Sequence, residues 1–132
     1  MDLQIINIAA STENNKEIKK FTHKSKYKNT ICGDQIEIRL IVKKQKILDI
    51  GYQSKSCIYC QASASLLSKI SVNKPLIKIN KIINEVLDYF VDPKQILSED
   101  LKKLKYILNK KNLSRKNCIL LPFKAIKKAL QS

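Results

Sequence analysis

The hydrophobic period of this chain changes once, sharply, and the change limits what the chain can fold into. From Gln35 to Val42 apolar and polar residues alternate, with Ile36, Ile38, Leu40 and Val42 on one side and Gln35, Glu37 and Arg39 on the other. That is the period of a half-buried strand. Lys43-Lys44-Gln45-Lys46 is a polar turn, and Ile47 to Gln53 is a second strand, with Gly51 marking a bulge or a close approach of another backbone. The two strands are expected to pair as an antiparallel hairpin. Beyond Ser54-Lys55-Ser56 the pattern becomes helical, and a helix is expected from Ile58 to about Ile70. The junction reads Ser56-Cys57-Ile58-Tyr59-Cys60-Gln61-Ala62-Ser63-Ala64-Ser65, so Cys57 stands at a helix N-terminus. Unpaired N–H groups and the positive end of the helix dipole lie there, and both favour a thiolate. The small residues that follow let another backbone approach closely.

The remaining elements follow the same signals. Residues 1–16 are weakly patterned, with Leu3, Ile5, Ile6 and Ile8 suiting a short helix or strand and Ser11 to Asn15 a loop. Residues 17–28 read as an edge strand, since lysines on an edge discourage further pairing. Pro75 fits the first turn of a helix running to Phe90, carried by Leu76, Ile79, Ile83, Val86 and Leu87. Ser98 is a candidate N-cap for a helix to about Asn109. Lys110 to Asn117 reads as a polar loop, and Cys118 opens a last helix over 119–130 with Pro122 in its first turn. Strands first and helices after is an α+β order: a small antiparallel sheet of about three strands with helices on one face. A chain of 132 residues is expected to form a single domain over 1–132, with 1–16 as a flexible or divergent N-terminal segment.

Four cysteines invite chemistry. The N-terminus lacks a basic signal region, and no apolar run approaches the roughly 20 residues of a membrane span. A cytoplasmic setting is therefore expected, with unpaired thiols and no membrane partner. Cys32 and Asp34 are two apart, which in extended chain points both side chains one way. Hairpin pairing returns Cys57 to the same end, and Cys118 can approach from the last helix. Three thiolates and a carboxylate suit Zn²⁺ or an iron–sulfur unit. On spacing alone the other reading, that these are buried cysteines acting as small hydrophobes, stays open. Cys57-x-x-Cys60 lacks the βαβ setting of a thioredoxin-like redox pair and has no second C-x-x-C to complete a zinc knuckle. Cys60 reads as a thiol on the helix near the site, with a spare ligand as the alternative. The net charge of +15 raises nucleic acid as a partner. The lysines are dispersed, however, and aromatics are only 6%, too few for stacking platforms, so nucleic acid is not the expected partner. The charge suits an acidic protein instead.

Thr30-Ile31-Cys32-Gly33-Asp34-Gln35-Ile36, then Ser56-Cys57 with Ala62-Ser63-Ala64-Ser65, then Arg115-Lys116-Asn117-Cys118 before a helix, resembles the IscU/SufU family of iron–sulfur cluster assembly proteins, of NifU N-terminal-like fold, over about residues 28–130. The resemblance implies Cys32, Asp34, Cys57 and Cys118 as metal or cluster ligands. Cys57 and Cys118 are separated by 61 positions, as in the SufU branch with its insertion; Arg115 stands where SufU-type proteins carry an Arg, and Asn117 where IscU-type proteins carry a His. The family's N-terminal helix and its His-Tyr-x-x-Pro-Arg-Asn-like run are not recognisable in residues 1–20. Ser56 replaces a common Gly, and Cys60 a small polar residue. The Leu-Pro-Pro-Val-Lys chaperone motif is absent, so no Hsp70-type partner is expected.

The function implied is SufU-like. Zinc on Cys32, Asp34, Cys57 and Cys118 would support acceptance of persulfide sulfur from a SufS-type cysteine desulfurase, with Cys32 as the acceptor and downstream iron–sulfur assembly machinery as recipient. Cys60 and Arg115 are possible auxiliaries. The chain would then be a zinc-dependent sulfurtransferase. The alternative is an IscU-like, non-enzymatic scaffold that builds a [2Fe–2S] cluster on the same ligands. A structural zinc module binding an acidic partner or RNA is a third reading, against which Asp34 speaks, since structural sites more often use Cys or His throughout.

Overall fold

A computed structural model describes residues 3–11, 13–31, 33–93 and 96–131. Three strands, β1 (His23–Lys28), β2 (Gln35–Lys43) and β3 (Lys46–Lys55), form an antiparallel sheet in the order β1-β2-β3. The hairpin register pairs Ile38 with Tyr52 and Leu40 with Ile50, so the alternation seen in the sequence buries Ile36, Ile38, Leu40, Ile50 and Tyr52 on one face. Lys44 and Gln45 close the hairpin with φ of 52° and 63°. Two positive φ values are what a two-residue turn needs to match strand twist, and here non-glycine residues supply them. A bulge falls between Ile41 and Val42 rather than at Gly51.

Gly51 serves the close approach. A Cβ there would lie 2.6 Å from the Lys16 carbonyl oxygen and 2.8 Å from Ile18 Cγ1. The segment around Asn14 to Ile18 is thus pressed onto β3, where the Asn14 carbonyl accepts from the Tyr52 N–H at 3.1 Å and the Asn14 amide donates to Ser68 Oγ at 3.1 Å. Farther along the same strand, Asn73 and Lys74 bond both backbone groups of Ile47. The β3 edge is in this way covered, as a sheet edge must be to avoid pairing with other chains. Gly51→Ala is expected to cost about 2 kcal/mol, lowering Tm by roughly 6 °C, because the obstacle is backbone and cannot swing aside. A melt equal to the parent's would mean that the segment is not packed against β3.

The inner face is covered by α2 (Ile58–Ser71) and α5 (Lys116–Leu130), with α3 (Leu76–Val91) packed beside α5. The small residues of α2 do what their size allows: Ala62, Ser63, Ala64 and Ser65 are all buried, and Ser63 Oγ donates to the Ile119 carbonyl at 2.6 Å. Ser25 of β1 likewise donates to the Ala125 carbonyl at 2.6 Å. Phe123, Ile119, Ile79 and Ile83 complete the core between helices and sheet. The α+β expectation, a three-stranded antiparallel sheet with helices on one face, is met.

One local expectation is settled and three are corrected. Residues Leu3–Ala9 form a helix, α1, the first of the two alternatives the sequence allowed, which packs on α2 near the fully buried Ile5, so an N-terminal helix is present although the family's N-terminal motif was not recognisable. The helix begun at Ser98, whose Oγ accepts the Leu101 N–H, stops at Lys102 instead of Asn109; it is α4 (Glu99–Lys102). Leu101, Leu104 and Ile107 recur every three residues, and the chain follows that tighter period with i→i+3 bonds at Leu104, Lys105 and Ile107. Lys110–Arg115 is a 3-10 helix rather than a loop, held by the buried Asn112 amide, which donates to the Tyr106 and Ile107 carbonyls. Because α5 starts at Lys116, Cys118 is its third residue and Pro122 lies in the second turn, where it removes the donor that the Cys118 carbonyl would ordinarily receive.

Candidate metal centre

Asp34 is set by the loop between β1 and β2. The Asn29 side chain accepts from the Ile31 N–H at 2.9 Å, the Asn29 carbonyl accepts from Gly33, and the Asn29 N–H donates to the Asp34 carbonyl. Gly33 takes φ +80°, a conformation side chains resist, and so turns the chain into β2. Cys32 falls between Ile31 and Gly33 in sequence and lies outside the described residues, as does every expectation placed on it. Asn29 was not singled out in the sequence. An Asn four residues before a Gly was the available signal, since Asn side chains hydrogen-bond their own backbone two residues on.

Hairpin pairing brings Cys57 back to Asp34, as expected. Cys57 is the N-cap of α2, with φ −70° and ψ 167°, but its side chain makes no capping bond. Its backbone N–H is instead bound by Asp34 Oδ1 at 3.2 Å. Gln61 Nε2 donates to the Ser56 carbonyl, tying the first turn of the helix to the approach from β3. Cys118 arrives from the first turn of α5. A carboxylate oxygen of Asp34 and the sulfurs of Cys57 and Cys118 all lie within 4.8 Å of one another. Three elements far apart in sequence converge on one point.

Without a cation the site leaves one buried oxygen unpaired and keeps Cys118 protonated. Asp34 is 8% exposed, and its Oδ2 is buried with no hydrogen-bond partner. An unpaired buried carboxylate oxygen is costly. Burial pushes the Cys118 thiol well above its ordinary pKa, and the neighbouring Cys57 sulfur and Asp34 carboxylate push it further. The thiolate expected at a helix start is therefore not favoured at Cys118 alone, since burial and negative neighbours outweigh the dipole. A bound cation inverts that balance. Two thiols and a carboxylate gathered this closely are donors that fit a zinc ion or an iron–sulfur unit.

The two auxiliaries fall in different places. Cys60 is fully buried in the core, outside the Asp34, Cys57 and Cys118 group. Arg115 is exposed, and its guanidinium carbon sits 5.0 Å from the centroid of the Tyr59 ring. Arg115 caps α5 and Tyr59 lies in the first turn of α2, so this stack ties together the starts of the helices that carry Cys118 and Cys57. No sequence signal marked Tyr59, because a cation–π partner has no fixed spacing. Among the described residues, no helix is long and apolar enough to cross a membrane.

Comparison with known proteins agrees with this geometry. The pattern of the NifU-like N terminal domain family matches residues 4–131. An uncharacterized protein of Borreliella burgdorferi is 32% identical over 125 residues, covering 95% of this chain and 86% of its own. The iron–sulfur cluster assembly scaffold protein IscU of Thermotoga maritima is 29% identical over 105 residues, covering 79% of this chain and 73% of its own. Among solved structures, a protein described as an iron–sulfur cluster assembly scaffold for the SUF system of Fervidobacterium islandicum AW-1 superposes with a TM-score of 0.84 at 18% identity, covering 98% of this chain and 96% of that one. A NifU-like N-terminal protein from Brucella abortus gives 0.83 at 16% identity, covering 98% and 91%. With its three-stranded sheet, its helical layer and its Asp-Cys-Cys group, the chain belongs to the NifU-like N-terminal domain family, that of the iron–sulfur cluster assembly proteins IscU, SufU and NifU.

Proposed function

We propose that this protein accepts persulfide sulfur from a SufS-type cysteine desulfurase, with zinc held by Cys32, Asp34, Cys57 and Cys118. The observation that carries the reading is the approach of Asp34, Cys57 and Cys118 ligand atoms to within 4.8 Å of one another, in a site where Asp34 Oδ2 is buried without a hydrogen-bond partner. The SufU-like spacing of Cys57 and Cys118, Arg115 on the Tyr59 ring and Asn117 in place of a His support the SufU branch. Zinc, when bound, supplies positive charge that keeps thiolates deprotonated beside one another. In the transfer itself, the Cys32 thiolate attacks the outer sulfur of the donor persulfide. A Cys32 S–S bond forms, the donor S–S bond breaks and the donor cysteine leaves as a thiolate, so no external oxidant or reductant is consumed. The product persulfide then passes to the iron–sulfur assembly machinery.

A second reading has its own support. The named relatives from Thermotoga maritima and Fervidobacterium islandicum are both described as scaffolds, which favours assembly of a [2Fe–2S] cluster as cargo on the same ligands. Titration into a SufS-type desulfurase separates the two: sulfur acceptance raises cysteine turnover in proportion to the protein added, and a flat titration with metal bound removes that reading.

Asp34 Oδ1 accepts the Cys57 N–H, and Oδ2, buried without a hydrogen-bond partner, would be the oxygen left to hold the ion. Asp34→Asn keeps an acceptor for the N–H but loses the charge. Transfer of zinc to a chelator is expected to be roughly tenfold faster in Asp34→Asn and Asp34→Ala, with a melt close to the parent's for the Asn variant. Release at the parent rate in both would remove Asp34 from the ligand set.

A further inference from the structure

The face of the sheet turned away from the helices carries charge that the metal-site reading does not use. Strand alternation sends Lys26, Lys28, Gln35, Glu37, Gln53 and Lys55 to this side, where they line a depression of about 560 Å³. The register sets Lys28 beside Gln35, Gln35 beside Lys55, and Lys26 beside Glu37. Glu37, the one carboxylate among the lining residues, is already taken by Lys24 at 3.4 Å and Arg39 at 3.3 Å, and farther along the face Asp49 is held by Lys16 and Glu17 by Arg39. Lys26, Lys28 and Lys55 make no ion pair among the described residues. At its far end the face is closed by the segment lying over Gly51 and by Phe21, whose ring is covered by the Arg39 guanidinium at 4.7 Å. At its near end it runs into Asp34 through Gln35, and into Cys57 through Lys55 and Ser56.

We propose that this face docks an extended acidic segment of a protein partner, laid beside the metal centre. The match is one of charge and spacing. Lys26 and Lys28 are alternate residues of one strand, so their side chains leave the sheet about 6.8 Å apart, the interval at which an extended peptide repeats the side chains of one face. Lys55 offers a third ammonium across the sheet. Gln35 and Gln53 bring amides that both donate to and accept from a peptide backbone. A nucleic acid strand fits less well, because bases need open aromatic faces to stack on and the Phe21 ring at the border is already covered by Arg39. The positive field of the face would also speed the encounter. The inference does not depend on which metal or cluster the site holds.

The test uses the full chain and a fluorescent peptide of alternating Glu and Thr, with binding followed by anisotropy at low salt. Lys26→Ala/Lys28→Ala/Lys55→Ala is compared with Lys69→Ala/Lys103→Ala/Lys111→Ala, which removes equal charge from exposed positions outside the sheet. Thermal melts and metal content check that both variants stay folded and loaded. The sheet variant is expected to weaken peptide binding about tenfold or more, and the control variant by less than about twofold. Equal losses in the two variants would overturn the proposal, because net charge alone would then explain binding. No measurable peptide binding by the parent would overturn it too. So would a single-stranded oligonucleotide that binds more tightly than the peptide and suffers the same loss in the sheet variant. A chain that fails to stimulate a desulfurase yet binds the peptide as described leaves this inference standing.

Discussion

Cys118→Ala is expected to abolish stoichiometric zinc binding. Four ligands together give a site of this type an apparent binding free energy on the order of 10–16 kcal/mol, so losing one thiolate costs about 3 kcal/mol, more than a hundredfold in Kd. Two features of this chain place the loss at the site rather than in the fold. Cys118 is only half-buried, so trimming its sulfur opens little cavity. Its thiol is also held above its ordinary pKa by burial and then by the Cys57 and Asp34 side chains, so at neutral pH it is uncharged and its removal takes no ion pair from the metal-free fold. In chelator the melt of Cys118→Ala should match the parent's, while with zinc only the parent gains stability, since a ligand of the native state stabilises it by mass action. Cys60→Ala is the converse. That side chain is fully buried in the core, so the variant should melt lower by about 1–2 kcal/mol and keep its zinc. Competition against a chromophoric chelator reads both. A Cys118→Ala variant with parental affinity would remove Cys118 from the site.

Persulfide delivered by a desulfurase is expected first on Cys32, and Cys32→Ser is expected to lose acceptance almost completely. Cys57 caps α2 and Cys118 sits in the first turn of α5, so either would have to break a helix start to reach into a partner. Cys60 is 0% exposed and is out of reach without unwinding that turn of α2. Cys32 stands in sequence between Ile31, which is 83% exposed, and Gly33, which takes a left-handed conformation. A group that must enter another protein's active site belongs on a loop. Brief reaction, alkylation and peptide mass mapping read the outcome, and Cys60→Ser should retain most of the acceptance. Early persulfide on Cys60, with Cys32→Ser still active, would place the acceptor at the other end of the site.

What the sequence made legible was what short-range periodicity encodes. The alternation of Ile36, Ile38 and Leu40 gave the hairpin, and with it the meeting of Asp34 and Cys57, because pairing geometry alone returns the chain to its start. The small residues after Cys57 gave the close contact with α5. Long-range satisfaction was not legible. The 3-10 turn at Lys110–Arg115 depends on the Asn112 amide reaching carbonyls five and six residues back, which no residue pattern announces. The helix at Leu3–Ala9 has seven residues and a single buried one, Ile5, too few for a period to choose between the short helix and the strand that the sequence left open. The approach of Cys118 rests on how α5 lies across β1, β2 and α2, and spacing could only permit it. The raised pKa of Cys118 was hidden for the same reason: a helix start favours a thiolate, but the neighbours that oppose it come from two other elements.

Metal and sulfide analysis of protein purified without oxygen decides whether Asp34, Cys57 and Cys118 hold zinc or a cluster. Zinc, iron and acid-labile sulfide are measured against protein concentration in the parent and in Cys118→Ala. The account predicts about one zinc per chain in the parent, no labile sulfide, and near-complete loss of zinc in the variant. Iron and labile sulfide in equal amounts with zinc absent, or the same zinc content in parent and Cys118→Ala, would contradict it.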